Sequence, residues 1–265
     1  MRSINLQKIQ TYIVGMPSEK ERNQHMASMC THLGLKATML PSISCNPGYY
    51  GCSIGRLRAL FDARENKRLP ALILENDCAH TKRFQPIIEV PKNSDIVYLG
   101  NSSCGCVPEL NNRGVRGCAL VSEVEGNDQF YRTDNMAATH AILYVTEKAL
   151  DDAIESTVKS LSIARAIDVG FILELQPTLN VYNFKIPLFY QAEKLQGNKE
   201  IAPIMQRMTL NETPQPRSDG TLFNYRSDNP KITENTVLEL VAQPDRPPQV
   251  WKIRRESSVE VTELG

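Results

Sequence analysis

Short apolar runs alternate with amphipathic segments over the first hundred residues of the chain. The runs at 11–14, 37–40 and 71–74 are β-branched or apolar and flanked by turn residues, which predicts strands. The run at 71–74 is continuous, as expected of a strand buried on both faces of a sheet. A further strand is predicted at 95–100. This alternation predicts a layered α/β/α fold with a mostly parallel central sheet.

A first helix is predicted between the first two strands. Ser18 is the expected N-cap, with Glu21 three residues later completing a capping box, and Gly34 ends the helix. The apolar residues that fall on one face at helical spacing are Met26, Met29, Cys30 and Leu33. These side chains are expected to pack in the core.

A second helix is predicted from about residue 50 to 65. The residues expected on its inner face are Ile54, Leu57, Leu60 and Phe61. Arg56 and Arg58 have a simple interpretation as part of a solvated face with ion pairs. For Arg56, a contact with a phosphate group is the alternative.

The pattern changes after residue 100. The segment 104–131 is rich in Gly and Asn and predicts loops and short antiparallel strands. A strand is predicted at 139–145, followed by a helix that Thr146 caps. The inner face of that helix is expected to carry Leu150, Ile154, Val158 and Leu161.

The C-terminal part has a weaker pattern and frequent prolines. Its strand candidates are 236–241 and 250–253. We therefore expect one domain at 1–195 and a small irregular extension at 196–265 that packs on it.

Composition excludes some classes of function. The 265 residues include 30 basic and 30 acidic side chains, so the basic excess typical of broad DNA or membrane binding is missing. The polar start of the sequence predicts no signal peptide, and no run approaches the ~18 apolar residues of a transmembrane helix. The expected location is the cytoplasm of a bacterial or virus-infected cell. Seven cysteines, an odd number, argue against a disulfide framework.

The residues Glu75, Asn76 and Asp77 directly follow the buried strand at 71–74. In open α/β sheets, ligands bind outside the carboxyl ends of the strands. Two unpaired carboxylates would be costly to bury there, and Mg²⁺ or Mn²⁺ prefers oxygen ligands of this kind. In sugar transfer, such an ion offsets the charge on the nucleoside-diphosphate leaving group. The alternative is that both carboxylates only cap the next helix.

The segments 51–60 and 71–77 together resemble glycosyltransferase family 25, which includes lipooligosaccharide and collagen galactosyltransferases. That family has a Gly-Cys-x-x-Ser-His helix followed by a strand that ends in Glu-Asp-Asp. Blocks at 12–26, 95–100 and 139–149 resemble further family segments in the same order. A weaker match joins Asp168 and the segment 187–191.

The resemblance implies a GT-A fold, an inverting reaction, a nucleoside-diphosphate sugar donor such as a UDP-hexose, and Mn²⁺ or Mg²⁺. The donor-binding residues that it implies are Val14, Gly15, Arg22, Ser53, Arg56, Glu75 and Asn76. The metal ligands that it implies are Asp77, Glu75 and His140. For His140, a satisfied core histidine is the alternative, because it lies in an apolar strand.

An inverting transfer needs a general base that takes the proton of the acceptor hydroxyl. Asp168 is the candidate base, since its apolar setting favours a raised pKa. Asp134 is the reserve candidate.

The chain also departs from the family pattern. Asn76 stands where the family has its central Asp, and Gly55-Arg56 replaces Ser-His. Asn76→Asp is therefore expected to be tolerated or activating, because it restores the family's charge. Gly55 is expected to admit a different donor.

The acceptor is expected to be a glycan or glycolipid. A variant has hydroxymethylated bases of phage-type DNA as acceptor, which the basic residues around Trp251 favour and the neutral charge opposes. A different class of function is a degenerate domain that binds a sugar nucleotide or glycan without turnover. A metal-dependent nucleotidyltransferase is a third alternative, although its usual Gly-rich basic loop is poorly matched after the first strand.

Overall fold

The computed structural model describes residues 1–44, 49–102, 104–106, 116–192 and 195, and strand segments at 237–239, 249–253 and 259–263. The helices are α1 (Lys20–Leu33), α2 (Tyr49–Glu65), α3 (Glu147–Ser162) and α4 (Ile167–Glu174). The first nine strands are β1 (Arg2–Asn5), β2 (Gln10–Gly15), β3 (Lys36–Pro41), β4 (Ala71–Glu75), β5 (Cys78–His80), β6 (Ile87–Val90), β7 (Ile96–Tyr98), β8 (Cys104–Cys106) and β9 (Arg116–Cys118). The others are β10 (Leu120–Val124), β11 (Asn127–Asn135), β12 (Ala141–Tyr144), β13 (Val181–Phe184), β14 (Phe189–Gln191), β15 (Val237–Glu239), β16 (Gln249–Ile253) and β17 (Val259–Glu263).

An eight-stranded sheet of order β10-β11-β13-β7-β12-β4-β2-β3 forms the centre of the fold. Six of these eight strands point the same way, and β11 and β12 are reversed. The expected layered α/β fold is confirmed. Most strands of its central sheet share one direction, as predicted. Two parallel neighbouring strands need a crossover connection, which is usually a helix. The described residues between β7 and β12 contain no helix. The chain therefore inserts β12 antiparallel between β4 and β7.

Both faces of this sheet are covered. Alternate residues of the strands point to opposite faces, so Tyr12 and Ile73 pack with α2, α3 and α4, whereas Ile13 and Leu72 pack with α1. The two-stranded β1–β6 sheet also packs on the α1 face. This arrangement gives the three layers that the sequence pattern predicts.

Helix α1 has the predicted inner face. All four apolar residues predicted there are buried, and Gly34 ends the helix with a left-handed φ of 68°. The predicted capping box is wrong, because the N-cap is Glu19 and its side chain makes no cap hydrogen bond. The Glu19 carboxylate instead accepts from the Met16 amide at 3.1 Å and pairs with Arg22 at 2.8 Å.

Helix α2 buries a different face from the one predicted. Leu60 is fully buried as expected, but Phe61 is 38% exposed. The residues that α2 buries are Gly51, Ser53, Gly55, Arg56, Ala59, Leu60 and Ala63. The interpretation of Arg56 as part of a solvated face is therefore wrong, whereas Arg58 is exposed as predicted.

Helix α3 is also rotated relative to its predicted face. Leu150 is buried, but Val158 is 48% exposed. Small residues such as Ala153 and Ser160 face inward instead. They allow a close approach of α4, where a Cβ on Gly170 would lie 2.2 Å from the Ser160 hydroxyl oxygen.

The irregular segment after residue 100 contains short antiparallel pairs, β8–β9 and β10–β11, as predicted. Near the C-terminus, β15, β16 and β17 form a three-stranded antiparallel sheet. The first two coincide with the predicted strands, and β17 was not predicted. The packing of the extension on the domain remains a prediction, and the side chains around Trp251 lie outside the described residues. None of the described helices is long and apolar enough to cross a membrane.

Candidate active site

A cleft of about 210 Å³ lies at the carboxyl ends of β2, β3 and β4. These strands are parallel neighbours, so the segments that follow them meet at one edge of the sheet. The lining residues are Val14, Gly15, Met16, Glu19, Arg22, Ser42, Ile43, Ser44, Cys52, Glu75, Asn76 and Asp77. The predicted acidic segment therefore opens into a cleft.

Glu75 and Asp77 lie close together in this cleft, and the side chain of Gln191 bridges them. Gln191 Nε2 is 3.5 Å from Glu75 Oε2 and 3.4 Å from each Asp77 carboxylate oxygen. Burial, and secondly the charge of Glu75, raises the pKa of Asp77 to about 7, although Arg22 and Gln191 act in the opposite direction. Two carboxylates in this setting would be stabilised by a cation.

Arg56, on the buried side of Glu75, forms an ion pair with its carboxylate. The guanidinium is fully buried, and its Nη2 donates to Glu75 Oε1 at 3.1 Å and to the carbonyl oxygen of Thr139. The Cys52 thiol lies 3.7 Å from the same carboxylate oxygen. Burial, followed by the charge of Glu75, raises the pKa of this thiol, which is therefore protonated at neutral pH. Arg56 does not line the cleft, and Arg22 is the basic side chain that does.

Asn76 has its amide directed toward α1. Its Nδ2 donates to Glu19 Oε2 at 2.9 Å and to Asn23 Oδ1 at 3.1 Å, and Arg22 Nη1 lies 3.5 Å from its Oδ1. A Cβ on Gly15 would lie 2.3 Å from Asn76 Nδ2, so glycine is required there. Asn76 therefore ties β4 to the start of α1.

Glycine at position 55 allows α2 to pack directly on the strand ends. A Cβ there would lie 2.2 Å from Ser42 Oγ and 2.6 Å from Val14 Cγ1. The close approach brings Cys52 and Arg56 to Glu75. This packing contact, rather than room for a different donor, accounts for Gly55. The predicted donor-binding residue Ser53 is fully buried and lies outside the cleft lining, whereas Val14 and Gly15 line it.

His140 is buried behind the acidic pair. Its carbonyl oxygen accepts from the Glu75 amide at 2.9 Å, and a Cβ on Gly100 would lie 2.0 Å from its Nε2. Burial lowers the pKa of the imidazole to about 4. The ring is absent from the cleft lining. This placement favours a core histidine over a metal ligand, but not a satisfied one, since the buried Nε2 lacks a hydrogen-bond partner among the described residues. Within the described residues, no three His, Cys, Asp or Glu side chains form a metal-binding group.

The two candidate bases lie in different places. Asp168 is half-buried in the first turn of α4. Burial is the largest cause of the raised pKa of Cys52 and of Tyr98, and the charge of Asp168 is a smaller one. Asp168 is therefore within electrostatic reach of Cys52. Asp134 lies on β11, where Ser122 Oγ donates to it at 3.0 Å. Four strand spacings separate β11 from β4, or about 19 Å. The structure does not bring Asp134 to the cleft.

Some residues around the cleft were missed as site residues from the sequence. Gln191 stands at the end of the weakly matching segment 187–191, and that match was its only signal. Glu19 has no signal of its own, because the pattern predicts the helix N-cap at the neighbouring Ser18. Ser42 lines the cleft but follows an ordinary strand, with no distinguishing pattern.

No protein-family model matches the sequence, and no curated protein matches it significantly. Solved structures give low similarity. A glycosyltransferase involved in the glycosylation of the major capsid of PBCV-1 has a TM-score of 0.40 and 11% identity, over 69% of this chain and 92% of that one. The CTP:phosphocholine cytidylyltransferase LicC of Streptococcus pneumoniae has a TM-score of 0.36 and 7% identity, over 69% and 92%. A protein described as mannose-1-phosphate geranyltransferase from Thermus thermophilus has a TM-score of 0.33 and 9% identity, over 73% and 80%. Similarities of this size do not assign the chain a family or a function.

Proposed function

We propose that the chain is a metal-assisted glycosyltransferase that binds a nucleoside-diphosphate sugar in the cleft. The observation that carries this proposal is the pair Glu75 and Asp77, which share a cleft with Arg22 at the carboxyl ends of three parallel strands. Burial raises the pKa of Asp77 to about 7, which means that its carboxylate form is destabilised in this cleft. A positively charged ligand would stabilise the two carboxylates. A divalent cation with a diphosphate supplies such a ligand.

The donor set fits Mn²⁺ or Mg²⁺. Both ions take oxygen ligands and commonly bind through one or two carboxylates and substrate phosphates. Bound there, the metal would offset the charge that develops on the nucleoside-diphosphate leaving group. Glu75 and Asp77 would hold it, Arg22 would bind a phosphate oxygen, and Val14 and Gly15 would contact the nucleoside.

The finer assignment follows the family 25 resemblance. It comprises an inverting transfer of a hexose from a UDP-sugar to a hydroxyl of a glycan or glycolipid, with hydroxymethylated DNA bases as the variant acceptor. Asp168 is the proposed base that takes the acceptor proton. Its electrostatic reach to Cys52 supports this choice over Asp134.

The test of donor binding is a thermal-shift series with UDP-, GDP-, CDP- and dTDP-sugars, with and without Mn²⁺. A ligand at about 100 times its Kd stabilises the native state by about 2.7 kcal/mol, which gives a measurable rise in Tm. Asp77→Asn is expected to lose the Mn²⁺-dependent part of the shift. Its fold should be retained, because burial already favours a neutral group at this position.

Asp151→Asn is the matched control, since that side chain is 49% exposed in an ion pair with Arg64 outside the cleft. It should keep the full shift. An equal Mn²⁺-dependent shift in Asp77→Asn would remove the metal assignment. For turnover, Asp168→Asn should slow nucleoside-diphosphate release while keeping the donor-induced shift, and Asp134→Asn should change neither. The reverse result would make Asp134 the base.

A second candidate is a domain that binds the sugar nucleotide without turnover. The observation that favours it is Asn76, whose amide is committed to Glu19 and Asn23, so the central position of the acidic segment adds no charge to the cleft. This candidate predicts a donor-induced thermal shift with no release of nucleoside diphosphate, with or without acceptor.

A further inference from the structure

Helices α2 and α3 each carry a row of apolar side chains on the outside of the fold. Hydrophobic periodicity predicts that these residues face inward, but the helices bury other residues instead. On α2, Leu57 is half-buried and Phe61 is 38% exposed. On α3, Ile154 and Leu161 are half-buried and Val158 is 48% exposed. The core therefore covers these apolar rows only in part.

The two helices pack side by side and run antiparallel. Helix α2 leads into Ala71 of β4 and α3 follows Tyr144 of β12, and these two residues are partners in antiparallel strands. The end of α2 and the start of α3 therefore lie at the same edge of the sheet, and both helices extend from there over one face of it. The ion pair between Arg64 and Asp151 joins them at this edge.

This arrangement aligns the apolar rows along one outer groove. Each helix rises about 1.5 Å per residue, so positions at equal steps from the ion pair of Arg64 with Asp151 lie side by side. Phe61 therefore comes beside Ile154, and Leu57 comes beside Val158. We call this surface the α2–α3 groove. Its apolar residues are Leu57, Phe61, Ile154, Val158 and Leu161.

The two flanks of the α2–α3 groove carry opposite charges. The exposed Arg58 lies on the side of α2 away from α3, because its guanidinium donates to the carbonyl oxygen of Pro41 on β3, and β3 is the edge strand beyond β2. The exposed Glu155 lies on the outer surface of α3. Lys148 and Lys159 on α3 are paired with carboxylates of the same chain. The α2 flank is therefore basic at Arg58, and the α3 flank is acidic at Glu155.

We propose that the α2–α3 groove binds a second copy of the chain, so that α2 and α3 of both copies form a four-helix bundle. The two-fold axis runs along the groove, which places α2 of each copy over α3 of the other. The apolar rows then pack against each other, as in the core of a helix bundle. Two-fold dimers use such self-complementary surfaces. The inference is independent of the proposed function, since the groove lies outside the cleft.

The charges on the flanks favour a second copy in this orientation. With the axis along the groove, Arg58 of each copy faces the Glu155 side of the other, so opposite charges meet twice. An axis across the groove would place α2 over α2 and bring the two Arg58 side chains together, and like charges across an interface are unfavourable. The groove thus carries its own complement, both in apolar surface and in charge.

Sedimentation equilibrium on the full chain tests the proposal. Wild type should sediment with about twice the 29.8 kDa mass of one chain. The double variant Phe61→Glu/Val158→Glu places two charges per copy in the groove and should be monomeric, because a buried charge without a partner is strongly unfavourable. Its fold should be retained, since both positions are exposed in one copy. Ile87→Glu, at a 53% exposed position on β6, is the matched control and should remain dimeric.

A charge exchange tests the orientation of the two copies. Glu155→Arg sets like charges opposite Arg58 twice per dimer and should raise the dimer Kd about tenfold, as expected for two exposed pairs. Adding Arg58→Glu restores opposite charges and should recover the wild-type Kd. An unchanged Kd in Glu155→Arg, or no recovery in the double exchange, would contradict the placement of α2 over α3.

The remaining outcomes decide whether the groove is the interface at all. A monomeric wild type would overturn the proposal, and the groove would then be left to another segment of the chain or to a different protein. A dimer that persists in Phe61→Glu/Val158→Glu would place the interface elsewhere on the surface. If that variant does not fold, the charge exchange decides, because it changes only exposed side chains.

Discussion

The two faces of the central sheet differ in chemistry although other elements pack on both. The α1 face packs methionine, leucine and isoleucine side chains against one another, among them Met26 and Leu72. The α2 face buries Arg56, His140 and Tyr144 next to the same strands. Both faces flank β2 and β4, whose carboxyl ends form the cleft.

The difference shows which side of the sheet shapes the candidate site. Apolar burial stabilises the fold at about 25 cal/mol per Å², and the α1 face provides it through apolar side chains, with Thr11 of β2 as a buried polar neighbour. Burying an arginine costs free energy unless it is paired. On the α2 face the contact of Arg56 Nη2 with Glu75 offsets part of that cost and at the same time fixes the orientation of a cleft carboxylate.

The strongest test of this comparison is Arg56→Met. Removing one partner of a buried ion pair typically costs about 3 to 5 kcal/mol, because the remaining charge loses its partner. Here Glu75 Oε1 and the Thr139 carbonyl oxygen lose the guanidinium. Urea unfolding at neutral pH measures the loss.

Arg64 on the same helix is the matched control. Its pair with Asp151 is about half exposed on both sides, at 55% and 49%, and exposed pairs contribute about 0 to 1 kcal/mol. Arg64→Met should therefore change stability by less than about 1 kcal/mol. Equal losses in the two variants would mean that Arg56 acts as one more packed side chain and that the α2 face is not organised around Glu75.

The same contrast explains how far the sequence could predict the structure. Helix α1 was placed correctly because its buried residues are apolar and repeat at helical spacing. The inner face of α2 was misplaced because a buried arginine and small residues occupy it, and hydrophobic periodicity counts these as exposed. The deciding contact, between Arg56 and Glu75, joins residues 19 positions apart across a sheet edge.

The candidate site was predicted in part for a similar reason. Glu75 and Asp77 follow a recognisable buried strand, so their position at the end of a strand could be inferred. Gln191 contacts Asp77 from 114 residues away, and only the pairing of β14 with β5 brings it there. His140 and Asp134 were plausible by residue type, but the strand order decides whether such residues reach the cleft.

A second test measures how the stability of the fold depends on pH, which on the α2 face should be set by His140. Burial lowers the pKa of this imidazole from 6.5 to about 4 in the folded chain. The unfolded chain therefore takes up the proton first, so stability present above about pH 6.5 is lost as the pH falls toward 4. Between pH 7 and pH 5 the loss from this group should be about 2 kcal/mol.

The measurement compares urea unfolding of wild type and His140→Gln over that pH range. The variant should lose less stability on acidification, because it has no imidazole to protonate. His32→Gln, at an exposed position on α1, should retain the slope of wild type. An identical change of stability with pH in wild type and His140→Gln would show that water reaches the imidazole in solution. The α2 face would then be more hydrated than the structure shows.

The smallest expected effect concerns Asn76, which ties β4 to the start of α1 at the cleft edge. The family resemblance predicts that Asn76→Asp is tolerated or activating, but the contacts predict a cost. The new carboxylate would lose two donated hydrogen bonds and would face the Glu19 carboxylate, which now accepts from Asn76 Nδ2 at 2.9 Å. Arg22, 3.5 Å away, offsets part of this repulsion, so we expect a loss of about 1 to 2 kcal/mol at pH 7.

Asn66→Asp provides a matched control for that loss. The exposed Asn66 also donates its amide to a carboxylate, that of Asp62, at 3.1 Å. Because water screens the exposed pair, this variant should change stability by less than about 0.5 kcal/mol. The loss in Asn76→Asp should also shrink as the pH falls, since protonation removes the repulsion with Glu19. Wild-type stability in Asn76→Asp, together with tighter Mn²⁺ binding, would instead mean that position 76 turns into the cleft and acts there as the family's aspartate.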